Sequence, residues 1–338
     1  MPLALFALTI GAFAIGTTEF VIVGLVPTIA QQLSISLPSA GLLVSIYALG
    51  VAIGAPVLTA LTGRMPRKQL LLALMVLFTA GNVLAWQAPG YETLILARLL
   101  TGLAHGVFFS IGSTIATSLV AKEKAASAIA IMFGGLTVAL VTGVPFGTFI
   151  GQHFGWRETF LAVSILGVIV LISSLILVPN NIPGRASASL RDQLKVLTHP
   201  RLLMIYAITA LGYGGVFTAF TFLAPMMQEL AGFSPSAVSW ILLGYGVSVA
   251  IGNVWGGKLA DKHGAVSALK FIFAALVLLL LVFQLTASVH YAALATVLVM
   301  GVFAFGNVPG LQVYVVQKAE QYTPGGCRHR FRPEYCRL

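Results

Sequence analysis

Three side chains in this sequence stand where their chemistry is hardest to accommodate. Glu19, Arg98 and His105 each lie inside a long apolar run, and neighbours such as Phe20, Val21 and Ile22, or Leu99 and Leu100, offer nothing to solvate them. An ionised carboxylate taken out of water is costly, so a carboxyl at position 19 is expected to exchange a proton instead of staying charged. That makes Glu19 the proton-carrier candidate, against the alternative of a protonated side chain that only hydrogen-bonds a neighbouring helix. Arg98 cannot shed its proton and needs an acceptor, a cavity or a path along its stem to the interface. On a helix Arg98, Gly102, His105 and Gly106 fall at i, i+4, i+7 and i+8, so a cation, an imidazole and two positions of close approach share one face. The pattern suggests proton transfer coupled to conformational change, with Glu19 and Arg98 as the coupling pair. His105 then titrates or contacts substrate, or is a satisfied packing histidine.

The elements that carry these residues follow from composition. The 338 residues are 58% hydrophobic and 8% charged, with a mean hydropathy of +0.98, a balance that no water-soluble surface carries. Apolar stretches long enough to cross a bilayer recur at about 3–30, 39–61, 70–87, 93–120, 126–151, 159–179, 202–228, 237–257, 267–287 and 291–317. They are apolar on all faces, unlike the short alternating segments of a membrane β-barrel. The expectation is an all-α membrane protein with the lipid bilayer as its main partner. No phosphate-binding loop, Cys/His metal cluster or Ser/His/Asp set occurs in polar context, so no enzyme, no metal and no cofactor is expected, and no ATP-driven step.

A net charge of +10 invites a nucleic-acid reading, but the cations sort by loop. Arg64, Arg67 and Lys68 follow span two, Lys122 and Lys124 follow span four, and Arg185, Arg191, Lys195 and Arg201 lie between spans six and seven. Lys258, Lys262 and Lys270 follow span eight and Lys318 follows span ten, whereas the opposite connections hold one such residue, Arg157. By the positive-inside rule the N-terminus and these basic loops face the cytoplasm, and no nucleic acid is implied. Span one starts almost at Met1 without a basic leader, so it is expected to remain as a helix. The polar stretch 180–201 reads as a linker between bundles, with a short amphipathic interfacial helix over Leu190–Leu197.

The chain also repeats itself. Tyr47, Val51, Ala52, Ile53 and Gly54 match Tyr245, Val249, Ala250, Ile251 and Gly252 without a gap, at an offset of 198. Both stretches run in the same sense across the membrane, which is a parallel repeat of two six-span halves with a site near the midplane. Two such halves need 396 residues, 58 more than the chain has, so two spans are expected to be missing. The halves divide as 1–179, a linker 180–201, and an incomplete bundle 202–322, followed by an aberrant basic tail 323–338. The tail holds both cysteines, Cys327 and Cys336, at a spacing that fits no zinc site. It reads either as a solvated cytoplasmic tail or as a frameshift, since codons exist for Gly326–Leu338 whose reading one base later spells an apolar peptide.

On span five Gly143, Gly147 and Gly151 recur at every fourth position with Pro145 inside the row, a pattern for close helix approach and a bend. Tyr213, Phe217, Phe220 and Phe222 in span seven form an aromatic stripe that lines an apolar site or faces lipid and core.

With these motifs in hand, the chain resembles the major facilitator superfamily over residues 1 to about 324, and within it the drug:proton antiporters and the sugar-efflux or arabinose-efflux-like permeases. Gly257-Lys-Leu-Ala-Asp261-Lys-His-Gly264 matches the loop signature that the superfamily carries after spans two and eight; in the first copy Gly63 stands where Asp261 does. Leu96-Ala-Arg98-Leu-Leu-Thr-Gly102 resembles the span-four signature. Gly143-Val-Pro145-Phe-Gly147 resembles the span-five antiporter signature, with Val144 splitting the usual Gly-Pro pair. Thr17-Thr-Glu19-Phe20 and Gly155-Trp-Arg-Glu-Thr159 also look like this subgroup. The resemblance implies a major facilitator fold of two six-helix halves, the second lacking its last two helices. It implies a monomeric, proton-coupled efflux permease of the bacterial inner membrane that takes a small-molecule substrate and protons by alternating access. Asp261, Gly257 and Gly264 would then serve a cytoplasmic gate, with Gly143, Pro145 and Gly147 as structural motif. His105, Tyr213 and Phe217 would line the cavity. The rival expectation is a non-functional truncated product of a frameshifted transporter gene; a pore is a weaker third, since no ring of charge or carbonyl filter is present.

Overall fold

The computed structural model describes residues 2–63, 65–121, 124–182, 198 and 200–322. Every regular element among them is helical, and ten stretches are long and apolar enough to cross a membrane. Spans one to four are Leu3–Gln32, Leu37–Leu61, Arg67–Trp86 and Tyr91–Ser118. Span five joins Ala125–Val138, a π turn Ala139–Gly143 and Val144–Phe154, and span six is Trp156–Leu177. Span seven, Pro200–Thr221, continues through Leu223–Pro225 and a second π turn, Met226–Leu230. Spans eight to ten are Pro235–His263, Ala265–Thr286 and His290–Tyr322. The expected segments all form, displaced by a few residues at their ends. The expected helix over Leu190–Leu197 and the whole tail from Thr323 lie outside the described residues.

Proline lacks the amide hydrogen that would reach back four residues, and its ring crowds that carbonyl. The widened turn Ala139–Gly143 lies just before Pro145, so span five continues in a new direction instead of ending, whereas the turn Met226–Leu230 follows Pro225 and closes span seven. Between spans five and six the chain turns on a single residue, Gly155, at φ 103°, a left-handed conformation that a side chain disfavours. The turn is locked by Arg157, which donates from Nε (3.1 Å) and Nη2 (2.8 Å) to the Ala88 carbonyl and lies 4.2 Å over the Trp156 ring.

By contact density the chain parts into two compact units: Met1–Ser187 with Phe220–Val247 and Ala287–Leu294, and Ala188–Ala219 with Ser248–Thr286 and Ala295–Leu338. In the first, span one packs against spans two, five and six, span four against two and three, and span three against six. Its core is continuous from Leu8 and Ile15 through Leu71, Phe78, Phe108 and Met132 to Val170. Span one is therefore buried over most of its length, the place where a polar side chain is hardest to solvate.

The sequence repeat reappears as geometry within each unit. A Cβ on Gly54 would lie 2.7 Å from the Leu103 carbonyl oxygen in the first unit, and one on Gly252 would overlap the Val302 carbonyl oxygen in the second. Gly54 and Gly252 are the matched glycines of the repeat, so the same backbone-to-backbone crossing joins spans two and four and spans eight and ten.

Candidate functional site

Spans two and four approach through glycine. Gly102 faces the Tyr47 carbonyl, Gly50 the Leu99 carbonyl and Gly106 the Val51 carbonyl, each too close for an added Cβ. The same face of span four carries Arg98 and His105, so the crossing brings both against Tyr47. The guanidinium carbon of Arg98 sits 4.2 Å from the centre of the Tyr47 ring, within cation–π range. Tyr47 Oη lies 2.9 Å from His105 Nδ1.

Arg98 is 1% exposed and does not reach for an interface. It is solvated by main-chain carbonyls: Nη1 donates to Thr18 O at 2.6 Å, Nε to Leu43 O at 3.3 Å and Nη2 to Glu19 O at 3.4 Å. A helical carbonyl has a second lone pair beyond its own intrahelical bond, so these three spare acceptors stabilise a cation without a counter-charge. One side chain thereby ties span four to spans one and two.

The Glu19 carboxylate faces His105, with Oε2 3.7 Å from Nδ1, and the two side chains are 19% and 13% exposed. The imidazole is held from behind by the Phe109 ring at 5.0 Å. Beside Glu19, Thr18 donates to Asn82 Oδ1 at 2.6 Å and Asn82 Nδ2 donates to Phe78 O at 2.8 Å, a fully buried polar tie between spans one and three. The turn of helix that carries the carboxylate is thus tied to spans three and four through Thr18 and the Thr18 and Glu19 carbonyls.

The glycine row of span five also meets span one. Side chains added at Gly143, Gly147 and Gly151 would overlap Thr17, Val21 and Leu25, which are themselves four residues apart. Gly143 therefore packs half a turn from Glu19, and Pro145 bends the helix just beyond. The other sequence candidates belong to the second unit. Tyr213 packs against Phe217 (ring centres 5.5 Å) and Phe305 (5.8 Å). A Cβ added at Gly257 would only reach ordinary contact with Pro309 at 3.8 Å, Asp261 is exposed at the end of span eight, and Gly264 ends that helix at φ 80°.

Sequence reasoning did not single out Tyr47, which contacts both Arg98 and His105, nor the Thr18–Asn82 pair. Tyr47 carried one signal, its match to Tyr245 in the repeat. Tyr245 is 1% exposed, stacks on Phe220 at 5.1 Å, and its hydroxyl has no hydrogen-bond partner among the described residues. Among the described residues no group of three or more His, Cys, Asp or Glu side chains is placed to hold a metal ion.

The model of the Major Facilitator Superfamily matches residues 8–325. The chain belongs to this superfamily of membrane transporters. It is 54% identical over 321 residues to the uncharacterized MFS-type transporter YtbD of Bacillus subtilis, covering 95% of this chain and 81% of YtbD. It is 43% identical to the inner membrane transport protein YdhP of Escherichia coli K12, covering 95% and 82%. With 321 aligned residues forming 81% of it, YtbD is close to the 396 residues that two 198-residue halves require. Among solved structures, the fold matches a bacterial homolog of the human lysosomal transporter Spinster, in an inward-facing and unoccupied conformation, at a TM-score of 0.73. That match has 18% identity and covers 94% of this chain and 74% of that one. The superfamily moves small molecules across membranes.

Proposed function

We propose that this transporter exports a small solute in exchange for protons across a bacterial inner membrane, with Glu19 as the proton carrier. The observation that carries the reading is one imidazole nitrogen with two suitors: His105 Nδ1 lies 2.9 Å from Tyr47 Oη and 3.7 Å from Glu19 Oε2. An ionised Glu19 attracts a hydrogen on Nδ1; a protonated Glu19 carries its own, and Nδ1 is then free to accept from the Tyr47 hydroxyl. Tyr47 also supports Arg98, and its carbonyl abuts Gly102. A change in its hydrogen bond therefore reaches the contact between spans two and four. Proton occupancy is converted into helix position, the element that alternating access requires.

With the N-terminus in the cytoplasm, the ends of span seven near Phe222 and of span eight near Pro235 lie at the outer side. There Phe220 meets Phe20 edge-on at 6.2 Å, and Phe222 abuts Gly41. These contacts support an outer closure just beyond Glu19, which a proton and a released solute must part. Tyr213 and Phe217 would contact the solute, and Asp261, Gly257 and Gly264 would serve the inner gate. The working body would be a monomer of two bundles, 1–179 and 202–322, joined by 180–201.

Glu19→Gln tests the reading in everted vesicles. Solute movement driven by an imposed proton gradient should vanish while solute–solute exchange persists; gradient-driven export at the unsubstituted rate removes Glu19 from the mechanism.

A further inference from the structure

Spans five and eight touch at one level and part at the next. Gly246 lies so close to span five that an added Cβ would overlap the Leu140 carbonyl oxygen. Toward Phe154 and Pro235 the helices instead leave a crevice of about 300 Å³. Its origin is in the sequence of span five, where the π turn Ala139–Gly143 and Pro145 redirect the helix immediately past that contact. Pro145, Phe146, Phe149 and Leu243 give it apolar walls. Phe146 and Trp240 are 68% and 74% exposed, and in a chain of ten spans apolar exposure of that size faces hydrocarbon.

The rest of the lining is polar: His153, Ser236 and Ser239, the last of which donates to Gln152 Oε1 at 3.2 Å across the two helices. On the lining itself, His153 Nδ1 lies 2.9 Å from the Phe149 carbonyl. A carbonyl only accepts, so Nδ1 carries hydrogen and Nε2 of the neutral ring presents a lone pair. The crevice therefore combines apolar walls with two serine hydroxyls and one imidazole acceptor, and no carboxylate or ammonium lines it.

We propose that this crevice is a binding site for a small uncharged amphiphile, an apolar chain or ring ending in a hydroxyl, that reaches it from the bilayer. A hydroxyl both donates and accepts, so it can donate to His153 Nε2 and pair with the Ser236 or Ser239 hydroxyl. The volume equals roughly ten waters, which suits a molecule of about ten non-hydrogen atoms and excludes a phospholipid. A charged head is disfavoured because nothing in the lining balances it. The site shares no residue with the Glu19 cluster, and its occupancy does not depend on proton coupling.

The test is photolabelling of the protein in lipid nanodiscs with a diazirine-bearing octanol, read by mass spectrometry. Adducts should concentrate on residues 145–153 and 236–243, saturate with probe, and be displaced by excess octan-1-ol but not by octane. His153→Phe should weaken labelling about five- to tenfold, the equivalent of one lost hydrogen bond. Leu243→Trp, which fills the crevice and leaves His153 in place, should abolish it even if the first variant folds poorly. Labelling that rises linearly with probe and is unchanged in Leu243→Trp would mean bulk lipid contact and overturn the proposal. Displacement by octane as effective as that by octan-1-ol would overturn the polar half of the argument.

Discussion

Arg98 offers the sharpest test of whether the polar cluster exists for stability or for work. Its three hydrogen bonds run to the carbonyls of Thr18, Leu43 and Glu19, and only that to Thr18 is short. In Arg98→Lys the ammonium can serve one of these carbonyls, so two bonds are lost. At the modest worth of hydrogen bonds between membrane helices this costs about 1–3 kcal/mol. In Arg98→Met all three are lost, but so is the need to keep a cation out of water. No acceptor is orphaned either, because each carbonyl retains its intrahelical partner. Replacing a buried charge by a well-packed apolar side chain is then within about 1 kcal/mol of neutral. The expected order of thermal midpoints in detergent is therefore unsubstituted and Met variants together, with the Lys variant lower by a few degrees. The order of proton-driven transport is reversed: Lys partial, Met absent. A Met variant that melts well below the Lys variant would show that Arg98 is structural. A Met variant that still transports against a proton gradient would refute the coupling role.

Tyr47→Phe removes the hydroxyl at His105 Nδ1 and should shift the pH dependence of transport at little cost in midpoint. Tyr245→Phe removes a hydroxyl that has no partner and should leave that pH dependence in place while raising the midpoint slightly. Gly135→Ala would place a Cβ against the Thr9 carbonyl and should cost about 1–3 kcal/mol by overpacking. Gly134→Ala enters open space and should be neutral or stabilising, so the two midpoints compared in one preparation check the crossing of spans one and five. Gly264→Val should destabilise by about 1–2 kcal/mol because φ is 80° there, and Gly264→Asn should recover most of the loss, read as thermal midpoints.

The spans were legible because the criterion for crossing lipid is length and apolarity alone, and both are written in the residues. The bend in span five was legible in Pro145, but the π turn that accommodates it was not, since no residue type specifies a widened turn. In the site, Glu19, Arg98 and His105 stand out as charge or imidazole in an apolar run. Their partners do not. Arg98 is held by the carbonyls of Thr18, Leu43 and Glu19, and every residue has a carbonyl. Which ones have a free lone pair toward span four depends on how closely spans one, two and four cross. The crossing of spans two and four is set by Gly50, Gly102 and Gly106 together, and becomes visible only when the helices are placed.

The repeat shows where symmetry stops. The contact of Gly54 on the Leu103 carbonyl and that of Gly252 on the Val302 carbonyl are the same device, and they preserve the same crossing in both units. The side chains mounted on it have diverged. Tyr47 is engaged by Arg98 and His105, whereas Tyr245 is stacked on Phe220 with its hydroxyl unused. On span ten, Phe303 stands 198 residues after His105 and Thr296 stands 198 after Arg98. A glycine crossing constrains backbone distance and is intolerant of change, while the residues around it are free to vary so long as each finds a partner. The scaffold is therefore duplicated and the titratable chemistry is not, so under the proposed function one half would read the proton and the other would follow it.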